Sequence, residues 1–139
     1  MQLTETVKLY LSDTQVQLVK ETMYTYIVTV NELVAIAVSG TSIAKYTTKN
    51  FQANLPSGLK NQCIRDAKSI VKKYNKACRE AEKKNKKLEK KGCAKRVTAT
   101  LPILKKPCCH INNQNFKING SCIEFPVMVN PQDFLFLQR

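Results

Sequence analysis

The chain has 139 residues, a hydrophobic fraction of 43% and a formal net charge of +13 at pH 7. That length fits one domain, and that hydrophobic fraction excludes wholesale disorder. The charge lies almost entirely in residues 60–96, where fifteen basic residues stand against four acidic ones, a concentration typical of a surface that meets a polyanion.

The N-terminal part predicts a strand followed by a capped helix. Residues 4–11 alternate polar and apolar side chains, which is the period of a half-buried strand. Ser12 then offers an N-cap, and Gln15 completes a capping box. Apolar residues recur at steps of three or four until Gly40, which fits the end of the helix. The residues that this helix is expected to bury are Val16, Val19, Met23, Ile27, Val30, Leu33, Val34 and Ala37.

A polar connection over residues 39–56 leads to a second long helix that opens near Ser57. Its apolar residues continue at helical spacing to Ala81, and beyond that point only Leu88 is apolar. If residues 57–91 are all helical, the helix is about 50 Å long, at about 1.5 Å per residue. We expect its first half to pack on the first helix and its second half to project as a solvated basic arm.

After Arg96 the pattern becomes that of strands. Residues 97–103 are an extended candidate, and residues 127–129 are another after the interruption at Pro126. The dipeptide Asn119-Gly120, between two short β-like runs, is a strong hairpin signal. The first strand must pair with these later ones, because a lone strand leaves its backbone groups unsatisfied.

These elements predict an α+β fold. Its β part would be a small sheet or partial β-barrel formed by residues 1–11 and 97–139. Residues 12–96 would be an inserted pair of long antiparallel helices that carries the basic arm.

Two segments within this order of elements resemble the N-terminal part of the TnpB (OrfB) proteins of insertion sequences. Those proteins are regarded as transposases and are similar to the ancestors of CRISPR type V nucleases. The first is Leu-Pro-Ser-Gly-Leu-Lys-Asn-Gln-Cys-Ile-Arg-Asp-Ala at 55–67. The second is 112–125, which opens with Asn112-Asn113-Gln114-Asn115-Phe116. The resemblance covers residues 1 to about 130. It implies a β-barrel wedge domain with a helical recognition insert, and a guide RNA with its DNA heteroduplex as partner.

The resemblance also implies DNA cutting by a C-terminal RuvC-like domain with carboxylates around two metal ions. The family-like pattern stops near Asn130, and neither that domain nor a four-cysteine zinc ribbon follows. We therefore expect a truncated chain that is not an enzyme, and a separately encoded nuclease half is one candidate partner. The acidic residues have no paired spacing, and no glycine-rich phosphate loop occurs.

The expected nucleic-acid contacts are mainly contacts to phosphates. The candidate residues are Arg65, Lys72, Lys73, Lys76, Lys83, Lys84, Lys86, Lys87, Lys90, Lys91, Lys95, Arg96, Asn112, Asn113 and Gln114. Asp66 either orients Arg65 toward a phosphate or forms an exposed ion pair with it. Residues 112–115 either contact bases or phosphates, or form the turn into the hairpin. Base stacking is also conceivable for six aromatic residues, but Tyr26 and Tyr74 fall at core positions of their helices, which favours packing instead. The six are Tyr10, Tyr24, Tyr26, Tyr46, Phe51 and Tyr74.

Interpretations that do not involve nucleic-acid binding remain for the basic segment. Pairs with acidic residues at i,i+4 would make it an ordinary solvated helix face. The long helix would alternatively pair with another chain in a protein-interaction module, or the chain would be an inert remnant of an insertion element.

Cysteine usage and the absence of an export signal bear on the compartment. No N-terminal segment has the features of a secretory signal, and the most apolar run, residues 27–38, is too short to span a bilayer. We therefore expect a cytoplasmic protein with free thiols and no membrane partner. No CxxC pair occurs, and the only histidine, His110, follows Cys108 and Cys109, so we expect neither a metal site nor a cofactor.

Overall fold

Two long helices, of 26 and 34 residues, are the largest elements of the chain. The computed structural model describes residues 2–112, 114–127 and 136–138, and it contains α1 (Asp13–Val38) and α2 (Ser57–Lys90). A small antiparallel sheet follows in the order β1-β2-β3, formed by Lys117–Asn119, Cys122–Glu124 and Phe136–Gln138. The predicted α+β class is confirmed in this mostly helical form.

Local sequence determines both ends of α1. The Ser12 hydroxyl accepts a hydrogen bond from the Gln15 N–H, and the Gln15 side chain accepts one from the Ser12 N–H, which forms the predicted capping box. At the other end Gly40 has a φ of 115°. The N–H of Thr41 donates to the Ile36 carbonyl across it, as in a Schellman motif.

The second helix has nearly the predicted range. It follows Pro56, and no side chain caps its N-terminus. Gly92, with a φ of 70°, ends it, because the Cys93 N–H reaches back 2.9 Å to the Leu88 carbonyl. The 34 residues of α2 span about 50 Å.

The hydrophobic core lies between the two helices. Its buried residues are Tyr26, Ile27, Val30, Leu33, Val34, Ile43, Leu55, Leu59, Cys63, Ile64 and Ala67. The predicted positions Val16, Val19, Met23 and Ala37 are only half-buried. Two threonines, Thr22 and Thr29, are buried on α1 because each hydroxyl donates to a carbonyl one turn earlier. Neither helix, over the residues described, is both long and apolar enough to cross a bilayer.

The predicted N-terminal strand is wrong. In residues 2–11 only Tyr10 forms a β-bridge, and the other residues belong to no helix or strand. Leu3 is 88% exposed and Val7 is 41% exposed. An alternating pattern produces a strand only where a neighbouring strand satisfies the backbone along its length, and this segment has a single bridge.

Residues 97–104, here called the return segment, belong to no helix or strand. The Asn85 side chain on α2 accepts a hydrogen bond from the Val97 N–H at 2.6 Å and donates to the Val97 carbonyl at 2.9 Å. Asn31 on α1 makes the same pair of bonds to Leu104, at 2.9 and 3.0 Å. The predicted strand at 97–103 is therefore wrong, and at each end of the return segment a helix side chain, rather than a neighbouring strand, satisfies the backbone.

The predicted hairpin is confirmed, with its loop displaced by one residue. Asn119 pairs with Cys122, so the loop residues are Gly120 and Ser121 rather than Asn119-Gly120. Of these two loop residues only Gly120 has a positive φ, as at the first central position of a type II′ turn. The sequence did not predict β3, which pairs with β2. Val127 is buried outside any strand, and residues 128–129 of that candidate lie outside the described residues.

The boundary between a β part and a helical insert stays a prediction. Leu101, Leu104, Cys108, Cys109 and Ile111 all pack against the core of the two helices. The chain after the return segment is therefore in contact with the helical pair before it reaches the hairpin.

Candidate nucleic-acid interface

The basic residues of α2 are unevenly distributed around the helix. Successive residues are about 100° apart, so steps of three and four residues return to the same face. A set of exposed basic residues recurs at such steps, and all of its members lie within about 50° of one direction around the helix axis, which is the centre of the face. We call this set the cationic face, and its members are Arg65, Lys72, Lys76, Arg79, Lys83, Lys86, Lys87 and Lys90.

No acidic residue of α2 belongs to the cationic face. Glu80, Glu82 and Glu89 lie about 70–110° around the helix from its centre. The ion pairs within the described part of the chain are Arg96–Glu89, at 3.5 Å, and His110–Asp66. The ammonium and guanidinium groups of the cationic face therefore have no carboxylate partner there, which weighs against a helix stabilised by i,i+4 pairs.

The structure separates the predicted basic residues into groups. Seven of them lie on the cationic face. Lys73 and Lys84 are exposed but lie about 90–110° from its centre. Lys91 is the C-cap of α2, and Lys95 and Arg96 follow it. The prediction missed Arg79, which the three-and-four spacing would have found. Lys68 is at the edge of the face, but its Nζ donates to the Ala44 carbonyl at 2.9 Å.

The asparagine-rich segment forms a turn in the part that is described. The Asn112 Oδ1 accepts from the Gln114 N–H at 3.1 Å and from the Asn115 Nδ2 at 2.7 Å. The turn interpretation therefore fits Asn112. Gln114 is exposed, and Asn113 lies outside the described residues.

The two segments that resemble TnpB proteins touch each other. A Cβ built on Gly58, in the first turn of α2, would lie 2.7 Å from the carboxamide of Asn115. Gly58 is thus the contact point between residues 55–67 and 112–125.

Asp66 has partners other than Arg65. Its Oδ2 accepts hydrogen bonds from the Tyr26 hydroxyl and from the His110 Nδ1, the latter at 2.6 Å. Its Oδ1 accepts from the Gln62 Nε2 at 3.1 Å. The predicted orientation of Arg65 by Asp66 and the alternative exposed ion pair are both wrong, because Asp66 faces α1 and the chain near His110.

This Asp66 cluster, formed by Tyr26, Gln62, Asp66 and His110, joins α1, α2 and the later chain. Burial raises the pKa of Tyr26 far above its ordinary value, and the hydrogen bond to Asp66 raises it further. The phenol therefore stays protonated and donates to the carboxylate. Tyr26 is fully buried, so its ring is not available to stack on a base.

The thiols beside this cluster are not activated. Burial raises the pKa of Cys63 and of Cys109 to about 12 in each case, so both remain protonated at neutral pH. All six cysteines are free. Over the described residues, no group of three potential ligands could hold a metal ion.

Comparison of the chain with protein-family models, with curated proteins and with solved structures gives no match. The TnpB relationship therefore rests on the sequence segments alone and stays a prediction.

Proposed function

We propose that the chain binds nucleic acid through phosphate contacts made by the cationic face of α2. The observation that carries this proposal is a row of eight exposed basic residues without a carboxylate partner in the described chain. From Arg65 to Lys90 the row extends about 38 Å along the helix, at about 1.5 Å per residue. Duplex DNA carries one negative charge per about 1.7 Å of axis, so a backbone alongside α2 offers every cation a phosphate.

Binding of this kind gives affinity and position rather than sequence selectivity. Lysine and arginine contacts to phosphates carry no direct sequence information. They release condensed counterions, so affinity falls steeply as salt rises. The similarity of residues 55–67 and 112–125 to TnpB proteins supports an RNA–DNA partner and a transposon origin. We also propose that the chain binds without catalysing a reaction and that its β part is an incomplete wedge-like barrel.

The interaction-module alternative has little free surface on α2. For pairing with another chain, the apolar stripe of α2 would have to continue past Ala81 to Leu88 as a free surface, but Leu88 is half-buried. Asn85, between them, is bonded to the return segment of the same chain. The inert-remnant alternative predicts no cooperative thermal transition by circular dichroism, whereas a binding protein must have one.

Two double variants with the same change in charge test the proposal. Lys76→Gln/Lys83→Gln removes two cations from the cationic face, and Lys73→Gln/Lys84→Gln removes two from outside it. Anisotropy titrations with a labelled DNA duplex and with an RNA–DNA hybrid, between 50 and 200 mM salt, give the slope of log K against log salt.

The first variant should reduce the magnitude of that slope by about 2, since each lost phosphate contact contributes about 0.9, and the second should change it little. Equal slopes for the two variants, or no binding at low salt, would refute the role of this face.

A further inference from the structure

The connection between the helices forms an open cleft of about 690 Å³ against the first turn of α2. Its polar and aromatic lining residues are Thr48, Lys49, Phe51, Gln52, Asn54 and Lys60. Lys60 lies about 130° around α2 from the centre of the cationic face, so the cleft is a separate site. Its volume is within the range of ordinary small-molecule sites.

The cleft combines three kinds of chemistry. Lys49 and Lys60 supply two ammonium groups, and no carboxylate lines it. Phe51 supplies an aromatic ring, and the Lys60 Nζ lies 6.0 Å from the centroid of that ring. Gln52 and Asn54 supply amides that both donate and accept hydrogen bonds. A small ligand complementary to all three carries an anionic group, a flat ring and polar ring edges.

Hydrogen bonds among residues 47–50 close a turn that carries Lys49, and Phe51 follows this turn directly. The Thr47 N–H donates to the Asn50 Oδ1 at 2.7 Å, and the Asn50 N–H donates to the Thr47 carbonyl at 3.0 Å. The Lys49 N–H donates to the Thr47 hydroxyl at 3.4 Å. The backbone at Lys49 is thus on a turn that is already closed, which lowers the entropy lost on binding.

We propose that this cleft binds a 5′-phosphorylated nucleotide. The base stacks on the accessible part of the Phe51 ring, which is half-buried against the core and has the Lys60 Nζ near it, as bases stack on aromatic side chains in single-strand-binding proteins. The phosphate lies between Lys49 and Lys60, and the amides of Gln52 and Asn54 reach the base edge or the ribose. Inorganic phosphate would leave the ring unused, and a nucleoside would leave both ammonium groups unused. The site is independent of the cationic face and does not require the function proposed for it.

Binding of AMP to the full chain, followed by ¹H–¹⁵N spectra, tests the proposal. AMP should shift the amide signals of residues 48–54, and adenosine or inorganic phosphate should bind at least tenfold more weakly. Lys49→Gln and Lys60→Gln should each weaken AMP binding about tenfold, as expected for a lost charge-assisted contact. Lys45→Gln, an exposed lysine of the same connection that does not line the cleft, should leave it unchanged. Phe51→Leu also removes the aromatic ring, but it alters a residue packed on the core. If that variant fails to fold, the lysine variants alone test whether the cleft binds AMP.

The source of the nucleotide is decided by comparing AMP with one short oligonucleotide in its 5′-phosphorylated and 5′-hydroxyl forms. A preference for the phosphorylated strand end over AMP assigns the cleft to a strand terminus, and the opposite order assigns it to a free nucleotide. Lys76→Gln/Lys83→Gln should retain AMP binding, so failure of one site does not imply failure of the other. The proposal is overturned if AMP leaves residues 48–54 unshifted, or if the lysine variants bind it as the unaltered chain does.

Discussion

Tyr26→Phe removes one hydroxyl from the centre of the protein and leaves the packing of the ring in place. The Tyr26 side chain is fully buried, and its hydroxyl donates to the Asp66 carboxylate. After the substitution Asp66 still accepts from His110 and Gln62, so the carboxylate is not left unpaired. The expected loss is therefore that of a single hydrogen bond to a charged acceptor.

Such a bond stabilises a folded protein by about 1.5–3 kcal/mol, and we expect a loss of about 2 kcal/mol in the free energy of unfolding. For a chain of this size that corresponds to a fall of roughly 8 °C in Tm. Tyr24→Phe is the matched control, because Tyr24 is on the same helix and 62% exposed. It should change the free energy of unfolding by less than about 0.5 kcal/mol.

Urea unfolding followed by circular dichroism measures both variants at pH 7. A double-mutant cycle with Asp66→Asn should give a coupling of about 1–2 kcal/mol between the two side chains. If Tyr26→Phe and Tyr24→Phe unfold at the same urea concentration, or if the cycle gives no coupling, the Asp66 cluster does not join the two helices as described.

Three further outcomes follow from other contacts. Burial raises the pKa of Cys63 to about 12, so the folded state holds the thiol proton more tightly than the unfolded state does. The stability that this proton contributes is complete below about pH 9 and is lost as the pH rises to about 12. This pH dependence of the urea midpoint should disappear in Cys63→Ala. Asn31→Ala should lower the free energy of unfolding by about 1–3 kcal/mol and speed trypsin cleavage after the return segment, because it leaves the N–H and the carbonyl of Leu104 unpaired. Asn75→Ala, at an exposed site, should change neither quantity. Gly58→Ala should destabilise the protein through its contact with Asn115, but in an Asn115→Ala background it should stabilise α2 by up to about 1 kcal/mol, as thermal melts would show.

The helices were predictable because their signals are local. Ser12 and Gln15 are three residues apart, and the capping box that they form needs nothing from the remainder of the chain. Gly40 and Gly92 likewise end the helices through bonds to the preceding turn. The hairpin at Gly120 belongs to the same class.

The structure of the two alternating segments was not predictable, since a contact that is distant in sequence leaves no local signal. Asn31 and Leu104 are 73 residues apart, and nothing in the alternation of residues 97–103 indicates that a helix side chain will satisfy that backbone. Residues 4–11 have a similar alternation and only one bridging residue. A period of two therefore did not identify a sheet strand in either segment.

For the candidate interface, the residue types were predictable and their grouping was not. Counting charge along the segment gave Lys73 and Lys84 the same weight as Lys76, although they lie on a different side of α2. The adjacency of Arg65 to Asp66 suggested an ion pair, but the partner of that carboxylate is His110, 44 residues later. Only the folded chain identifies which neighbour a carboxylate uses.

The return segment has a consequence for synthesis on the ribosome. Translation at about 5–20 residues per second completes α2 roughly one to four seconds before His110 is added. Asn31 lacks the Leu104 backbone until residue 104 is added, and Asp66 lacks the imidazole for the whole interval. A nascent chain therefore holds its helical pair in an unfinished form until the later residues leave the exit tunnel.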